Sequence, residues 1–251
     1  MDPVQSGAGL DTYYESILEM QANVIESQRD KLLSIANRMA DTIERDERIF
    51  VFGSGHSHLM AEEAFYRAGG LAAVVPVLAT PLMLHENPEL GSRLERMEGL
   101  AAPLLDRYQP RPGEMIFIFS NSGVNCLPVE MALYAREKGM FVVSVSASAY
   151  AEVAPLSPIG IRLSEVSDIA VDNGGVPGDA LVHLGDSGWR VGPSSTVLGA
   201  LIWNCLVCEC VSQLNARGSS LPVIASYNMP EAAEQNEALI SHWRKTNLHL
   251  L

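Results

Sequence analysis

Three short segments of this chain combine glycine, serine, threonine and asparagine in a way that suits anion binding. The first, Gly53-Ser54-Gly55-His56-Ser57, follows an apolar run directly and precedes a stretch of helical composition. Small residues let the chain turn sharply there, and backbone amides at the start of the next helix become donors for a negative group. Ser120-Asn121-Ser122-Gly123 repeats the arrangement after another apolar run. Gly192-Pro193-Ser194-Ser195-Thr196 comes third, just before the apolar run 197–211, where Ser or Thr caps a helix and leaves outward-facing amides. Each segment also has a plain structural reading, a glycine turn for the first and a helix cap for the third. In a parallel sheet, however, two hydroxyl-rich turns at strand ends face the same edge and can meet on one ligand at a topological switch point.

The elements that must position these turns are visible as a change of pattern. Apolar runs at 48–52, 72–78, 115–119, 141–145 and 168–171 read as five strands. Their Val, Ile and Phe content shows no polar alternation, as expected of strands covered on both faces by helices. Segments 59–68 and 127–138 have helical composition, the second closing at Gly139. Residues 85–113 form a longer connection, with 94–108 expected to be helical. Ahead of the strands, 11–45 carries apolar residues at helical spacing with no Pro or Gly, predicting one long helix or two in succession. Its stripe exceeds what one small sheet needs, so part of it is expected to pack on another subunit. The expectation is an α/β protein, a three-layer α/β/α sandwich with a five-stranded parallel sheet, preceded by N-terminal helices.

Composition narrows the partners. Hydrophobic residues make up 47% and charged residues 19%, which fits a packed domain. The 30 acidic against 17 basic side chains leave a net charge of -13, which repels nucleic acid and anionic membranes. A small anionic ligand is still compatible, because amides and hydroxyls at helix starts hold phosphate without surplus Lys or Arg. The first ten residues lack a basic start followed by an apolar stretch, and no later run approaches the roughly 18 apolar residues of a membrane span, so a cytoplasmic location is expected. Cys205, Cys208 and Cys210 suggest a metal at first sight. They lie in the apolar run 197–211 with no His or further Cys pair nearby, which favours helix packing over a tetrahedral site.

Taken in order and spacing, Gly53-Ser54-Gly55-His56-Ser57, Ser120-Asn121-Ser122-Gly123 and Pro193-Ser194-Ser195-Thr196 resemble the loops of sugar isomerase (SIS) domains. The resemblance covers most of the chain. Stretches 120–130 and 178–196 are similar to a subgroup of stand-alone SIS proteins, related to phosphoheptose isomerases. The resemblance implies a flavodoxin-like SIS fold in a single domain over 1–251, with 11–45 as a helical oligomer interface, 48–215 as the α/β core and 216–251 as a C-terminal extension. It also implies a phosphorylated sugar as ligand, a homodimer or higher assembly, and a site near a subunit boundary. By position, Ser57, Ser120 and Ser122 would bind the phosphate, with Ser54, Asn121 and Ser195 as additions. Neither a cofactor nor a metal is expected.

Related enzymes interconvert aldoses and ketoses, which requires a base beside the carbonyl and an acid to shuttle the hydroxyl proton. The candidates are Glu62 and Glu63, with His56 and His58 at the start of their helix, and His85 with Glu86 after the second strand. His85 and Glu63 are the first choices and Glu62 and Glu86 the substitutes. Each has a plain alternative: Glu63 and Arg67 are spaced for a helical ion pair, and His85-Glu86-Asn87-Pro88 also makes a turn. One departure matters. Phosphoheptose isomerases carry a catalytic His on the last helix, and this chain has none between Pro193 and Leu214. His183 is the one substitute in range, although a lone strand His is more often structural. A phosphosugar isomerase is therefore the leading expectation, with a non-catalytic phosphosugar sensor and a sugar-phosphate lyase or etherase as alternatives.

Overall fold

A computed structural model describes residues 7–250; the first six residues of the N-terminal stretch and Leu251 lie outside the described residues. The N-terminal segment is a single helix, α1 (Ala8–Glu44), since nothing between its first turn and Glu44 breaks the hydrogen-bond ladder. Its inner stripe includes Val24, Leu32, Ile35, Met39 and Ile43, all buried. Towards its start, Leu10, Tyr14 and Leu18 are exposed.

Five parallel strands follow: β1 (Ile49–Gly53), β2 (Val74–Pro76), β3 (Met115–Phe119), β4 (Phe141–Ser146) and β5 (Ile169–Asp172). Their spatial order is β2-β1-β3-β4-β5. Every residue of β1, β2 and β3 is buried, as their unbroken apolar composition predicts. β2 is shorter than the apolar run 72–78. Ala72 donates instead to the Pro222 carbonyl at 2.8 Å, and Leu71 bridges Val223, so the C-terminal segment takes the front of that run.

One face of the sheet carries α1, α2 (His58–Ala64) and the long helix of the 197–211 run; the other carries two connecting helices and the helix before Gly139. α2 is shorter than expected because Phe65 turns extended and Tyr66 adopts a positive φ of 49°. Of the predicted helix at 94–108 only α4 (Ala101–Asp106) forms; α3 (Pro88–Leu94) ends where that helix is expected to begin. Gly99, at φ 85°, breaks the predicted helix, with its amide held by the Glu130 carboxylate at 2.6 Å. α5 (Cys126–Glu137) stops at Gly139 as expected. After β5 an antiparallel hairpin, β6 (Ala180–His183) and β7 (Arg190–Pro193), leads into α6 (Ser195–Ala216). The hairpin is tied to α1 where the Tyr13 hydroxyl donates to the Pro193 carbonyl at 2.7 Å.

By length and composition α6 could cross a membrane, contrary to the expectation that no run comes close. Here it is a core helix: Leu198, Ile202, Trp203, Leu206, Cys210 and Leu214 are buried, and Trp203 meets Phe117 edge-on at 5.2 Å. Of its cysteines only Cys210 is core, and burial pushes its thiol up to about 12. Cys205 is half-buried and Cys208 exposed, so packing explains the cluster only in part. Beyond α6, the segment ending in α7 (Ala232–Trp243) folds back onto the core through Ile240 and Trp243. Arg48 anchors it. This buried guanidinium grips Glu114 through two hydrogen bonds, at 2.5 and 2.9 Å, and donates to the Thr246 carbonyl at 2.7 Å.

Candidate functional site

The order β2-β1-β3 reverses chain direction across the sheet between β1 and β3, so the turns after these strands part and leave a crevice. Gly53 pairs with Phe119 in register, which sets Ser54 and Ser120 side by side at the strand ends. Gly53 has no alternative, because a Cβ there would collide with the Ser57 backbone. The crevice is lined by His56 and Ser57 from the first turn, Ser120 and Asn121 from the second, and Ser195 and Thr196 from the start of α6. Its enclosed space is about 20 Å³, room for one water-sized group. A larger ligand would therefore rest over its mouth.

Asn173 closes the fourth side. It is buried, its oxygen accepts the Gly175 amide at 2.8 Å, and its amide nitrogen donates to the Asn121 oxygen at 3.0 Å. The Gly175 bond orients the Asn173 carboxamide, so its donor end faces Asn121. A Cβ on Gly175 would sit 2.8 Å from the Asn173 oxygen and 3.0 Å from the Asn121 oxygen, so only glycine fits against this pair.

The α6 wall carries its own acid. The Asp179 carboxylate accepts from the Ser194 amide at 3.0 Å, the Ser194 hydroxyl at 2.9 Å, the Ser195 amide at 2.8 Å and the Ser195 hydroxyl at 2.5 Å. Residue 179 stands at φ 57°, a conformation Asp tolerates better than most residues. Neither Asn173 nor Asp179 was identified from the sequence. Asn173 lies two residues past the predicted strand 168–171, on the same sheet edge as the serine turns, which was the available signal.

Of the residues expected on phosphate, Ser57, Ser120, Asn121 and Ser195 share the crevice. Ser54 points away and donates to Glu95 at 2.9 Å. Ser122 lies on the far side of its turn, in a separate cavity of about 190 Å³ with Ser146, Lys31 and Arg162. Of the proton-transfer candidates, His56 lines the crevice, whereas His58, Glu62, Glu63, His85 and Glu86 do not. His58 is buried, with Nδ1 3.2 Å from Glu62 and no partner for Nε2 among the described residues. Burial pushes its pKa down; the Glu62 carboxylate opposes that shift and the nearby His85 adds to it. Glu63 forms the anticipated ion pair with Arg67 and accepts from Asn204 at 3.2 Å. His85 and Glu86 are exposed in the turn before α3, which Asn87 caps by accepting the Leu90 amide at 3.0 Å. His183 is exposed on the hairpin opposite Arg190, outside the crevice.

The SIS domain profile matches residues 12–147, from the second turn of α1 to the end of β4. This chain belongs to the SIS domain family. Two UPF0309 proteins, from Brucella canis and Brucella melitensis, are each 38% identical to it over 244 residues, 96% of this chain and 98% of theirs. Among solved structures it is similar to a phosphoheptose isomerase from Francisella tularensis, with TM-score 0.56 and 15% identity over 82% of this chain and 98% of that one. The Vibrio vulnificus NanR protein complexed with ManNAc-6P gives TM-score 0.50 and 16% identity over 94% of this chain and 70% of that one. At such identities the likeness is one of fold. The SIS match covers both serine turns and leaves Asn173, Asp179 and Ser195 beyond its end.

Proposed function

We propose that this SIS domain binds a phosphorylated sugar at the junction of β1 and β3 and interconverts its aldose and ketose forms. The observation that carries the reading is the meeting of Ser57, Ser120 and Asn121 in one crevice at the switch point. Hydroxyls and turn amides there supply charge-assisted hydrogen bonds to a phosphate group without a lysine or arginine. With the phosphate seated at this narrow point, the sugar carbons lie over the mouth, towards α2 and the His85 turn. Proton transfer between adjacent carbons then falls to His85 and Glu63, with Glu62 and Glu86 as substitutes. For Glu63 to act as base, substrate must displace Arg67 from it. The exposed Leu10, Tyr14 and Leu18 of α1 suit burial against a second copy, which makes a homodimer the proposed assembly.

A non-catalytic phosphosugar sensor is the second reading. It is favoured by the engagement of Glu62 with His58 and of Glu63 with Arg67, and by a crevice lining that holds no carboxylate among the described residues. One experiment separates the two. Hexose, heptose, pentose and amino-sugar phosphates are screened by thermal shift, since a bound ligand stabilises the native state. The tightest binders are then incubated in deuterated water. Deuterium at the carbon beside the carbonyl supports the isomerase, whereas binding with neither exchange nor product supports the sensor. Equal affinity for phosphorylated and unphosphorylated sugars would remove both.

A further inference from the structure

We propose that the outer face of α6, with the neighbouring groove on α1, is the seat of a second copy of this chain, packed helix on helix about a two-fold axis near Asn204. The inference needs no ligand and goes beyond the functional reading above; its surface also differs from the exposed start of α1 on which the homodimer above rests. α6 has two seams. The inner one, with Leu198, Ile202, Leu206 and Leu214, is spent on the core. Val197, Leu201, Asn204, Cys208 and Val211 recur on the opposite side at alternating steps of four and three, the spacing of a helix that packs on another helix. Of these, Val197, Asn204 and Cys208 are exposed, and Leu201 and Val211 are half-buried. No charged side chain occurs between Ser195 and Cys208. A surface helix normally turns charged residues to solvent, and one that is apolar on both sides is covered on both sides.

Charge and size point to a second copy as the occupant. Beside the seam runs a groove of about 200 Å³ between α1 and α6, floored by Ile25, Leu32 and Leu206. Leu33 on its α1 wall is 40% exposed. Arg29 stands on the α1 wall and Glu209 on the α6 wall, and they form no ion pair with each other. A two-fold contact uses the same patch on both copies, so each of these charges can meet its opposite on the partner. α1 and α6 lie side by side, each about 10 Å across, over the roughly 33 Å length of α6. The face they share is thus on the order of 600 Å², close to the ~800 Å² per partner of a stable dimer. A membrane is the poorer occupant. The inner seam holds α6 in the core, where Trp203 meets Phe117, and a net charge of -13 repels anionic lipid. A partner seated here also closes over Asn204, whose amide holds Glu63 at 3.2 Å, and so brings the edge of α2 to the subunit boundary.

The test has two arms. In the first, wild type, Val197→Arg, Cys208→Arg, Tyr14→Arg and Leu133→Arg are compared by sedimentation velocity, with circular dichroism checking the fold of each. All four positions are exposed in the single chain, so a folded monomer accommodates the changes. We expect wild type to be dimeric or larger at micromolar concentration, and Val197→Arg and Cys208→Arg to weaken the association at least about tenfold. Leu133→Arg, on the opposite layer, should leave it unchanged. In the second arm, Asn204→Cys is made in a Cys205→Ala, Cys208→Ala background, where the remaining Cys126 and Cys210 are buried. It should cross-link chain to chain through bismaleimidoethane, and Ser187→Cys at the exposed hairpin tip should not. A monomeric wild type overturns the proposal. So does an assembly that Tyr14→Arg dissociates and both α6 variants leave intact, which would put the contact at the start of α1. Flotation of wild type with phosphatidylcholine vesicles, lost in Cys208→Arg, would make the seam a membrane contact and overturn it equally. If the Arg variants fail to fold, the cross-link at residue 204 decides, and its absence overturns the proposal.

Discussion

The Asn173 side chain donates to the Asn121 oxygen across 3.0 Å and so fastens the turn after β5 to the turn after β3, two strands away in the sheet. Replacing Asn173 with Ala leaves the Asn121 oxygen and the Gly175 amide without their partner. The expected cost is about 1 to 3 kcal/mol in urea unfolding. Asn173→Asp keeps the acceptor for Gly175 but loses the donor and puts a charge beside the phosphate seat. Its loss of sugar-phosphate affinity, measured by calorimetry, should exceed that of the Ala variant.

Ser120 and Ser122 are two residues apart and face different cavities. Ser120→Ala should weaken sugar-phosphate binding by roughly 1 to 2 kcal/mol, while Ser122→Ala should change it by less than about 0.5 kcal/mol. Equal effects of the two variants would mean that the phosphate sits against the outer side of the turn.

If His85 and Glu63 transfer protons, His85→Asn and Glu63→Gln should each lower turnover by roughly 10²-fold with little change in affinity. Arg67→Met adds a discriminating measurement, because it releases Glu63 from its ion pair. An active base should raise its turnover in that variant. A purely structural Glu63 would lose helix stability and show no rate change.

The pH dependence of stability follows from His58 and His249. Burial holds both pKa values below the ordinary 6.5. Above that value both states carry neutral imidazole and these groups add no pH dependence. As pH falls through it, the unfolded chain takes up protons that the folded chain refuses, so stability declines until the lowered folded values are passed. Urea unfolding at pH 7.5 and at pH 5.5 should show this loss, and His58→Gln should remove part of it. A loss of the same size in His58→Gln would assign the effect elsewhere.

Arg48→Ala strands the Glu114 carboxylate in the interior and releases the Thr246 carbonyl. Removing one partner of a buried pair costs about 3 to 5 kcal/mol. Urea unfolding should show that loss, and limited proteolysis should cut earliest beyond α7. Arg48→Met with Glu114→Leu should recover much of the stability without restoring the tether to Thr246.

Local pattern was enough for the sheet and the turns. Unbroken apolar runs place β1, β3, β4 and β5 within a residue or so, because a strand covered on both faces cannot carry polar alternation. Glycine and serine between run and helix mark where the chain must turn and where amides are free. The same signals fail where an outcome depends on a distant segment. The run 72–78 is cut short because Leu71 and Ala72 bond residues around Val223, some 150 positions later, and the region 94–108 is interrupted at a glycine held by Glu130.

The site divides in the same way. Sequence by itself determined that Ser57, Ser120 and Asn121 stand in turns that share one sheet edge, and that Ser195 stands at a helix start. Only the tertiary structure decided that Ser54 turns to Glu95, that Ser122 faces Lys31 and Arg162, that Asn173 completes the crevice and that Asp179 already occupies the start of α6. The physical reason is that spacing along the chain sets which turn a residue belongs to. The direction of its side chain within an irregular turn is set by hydrogen-bond partners brought from elsewhere by the fold.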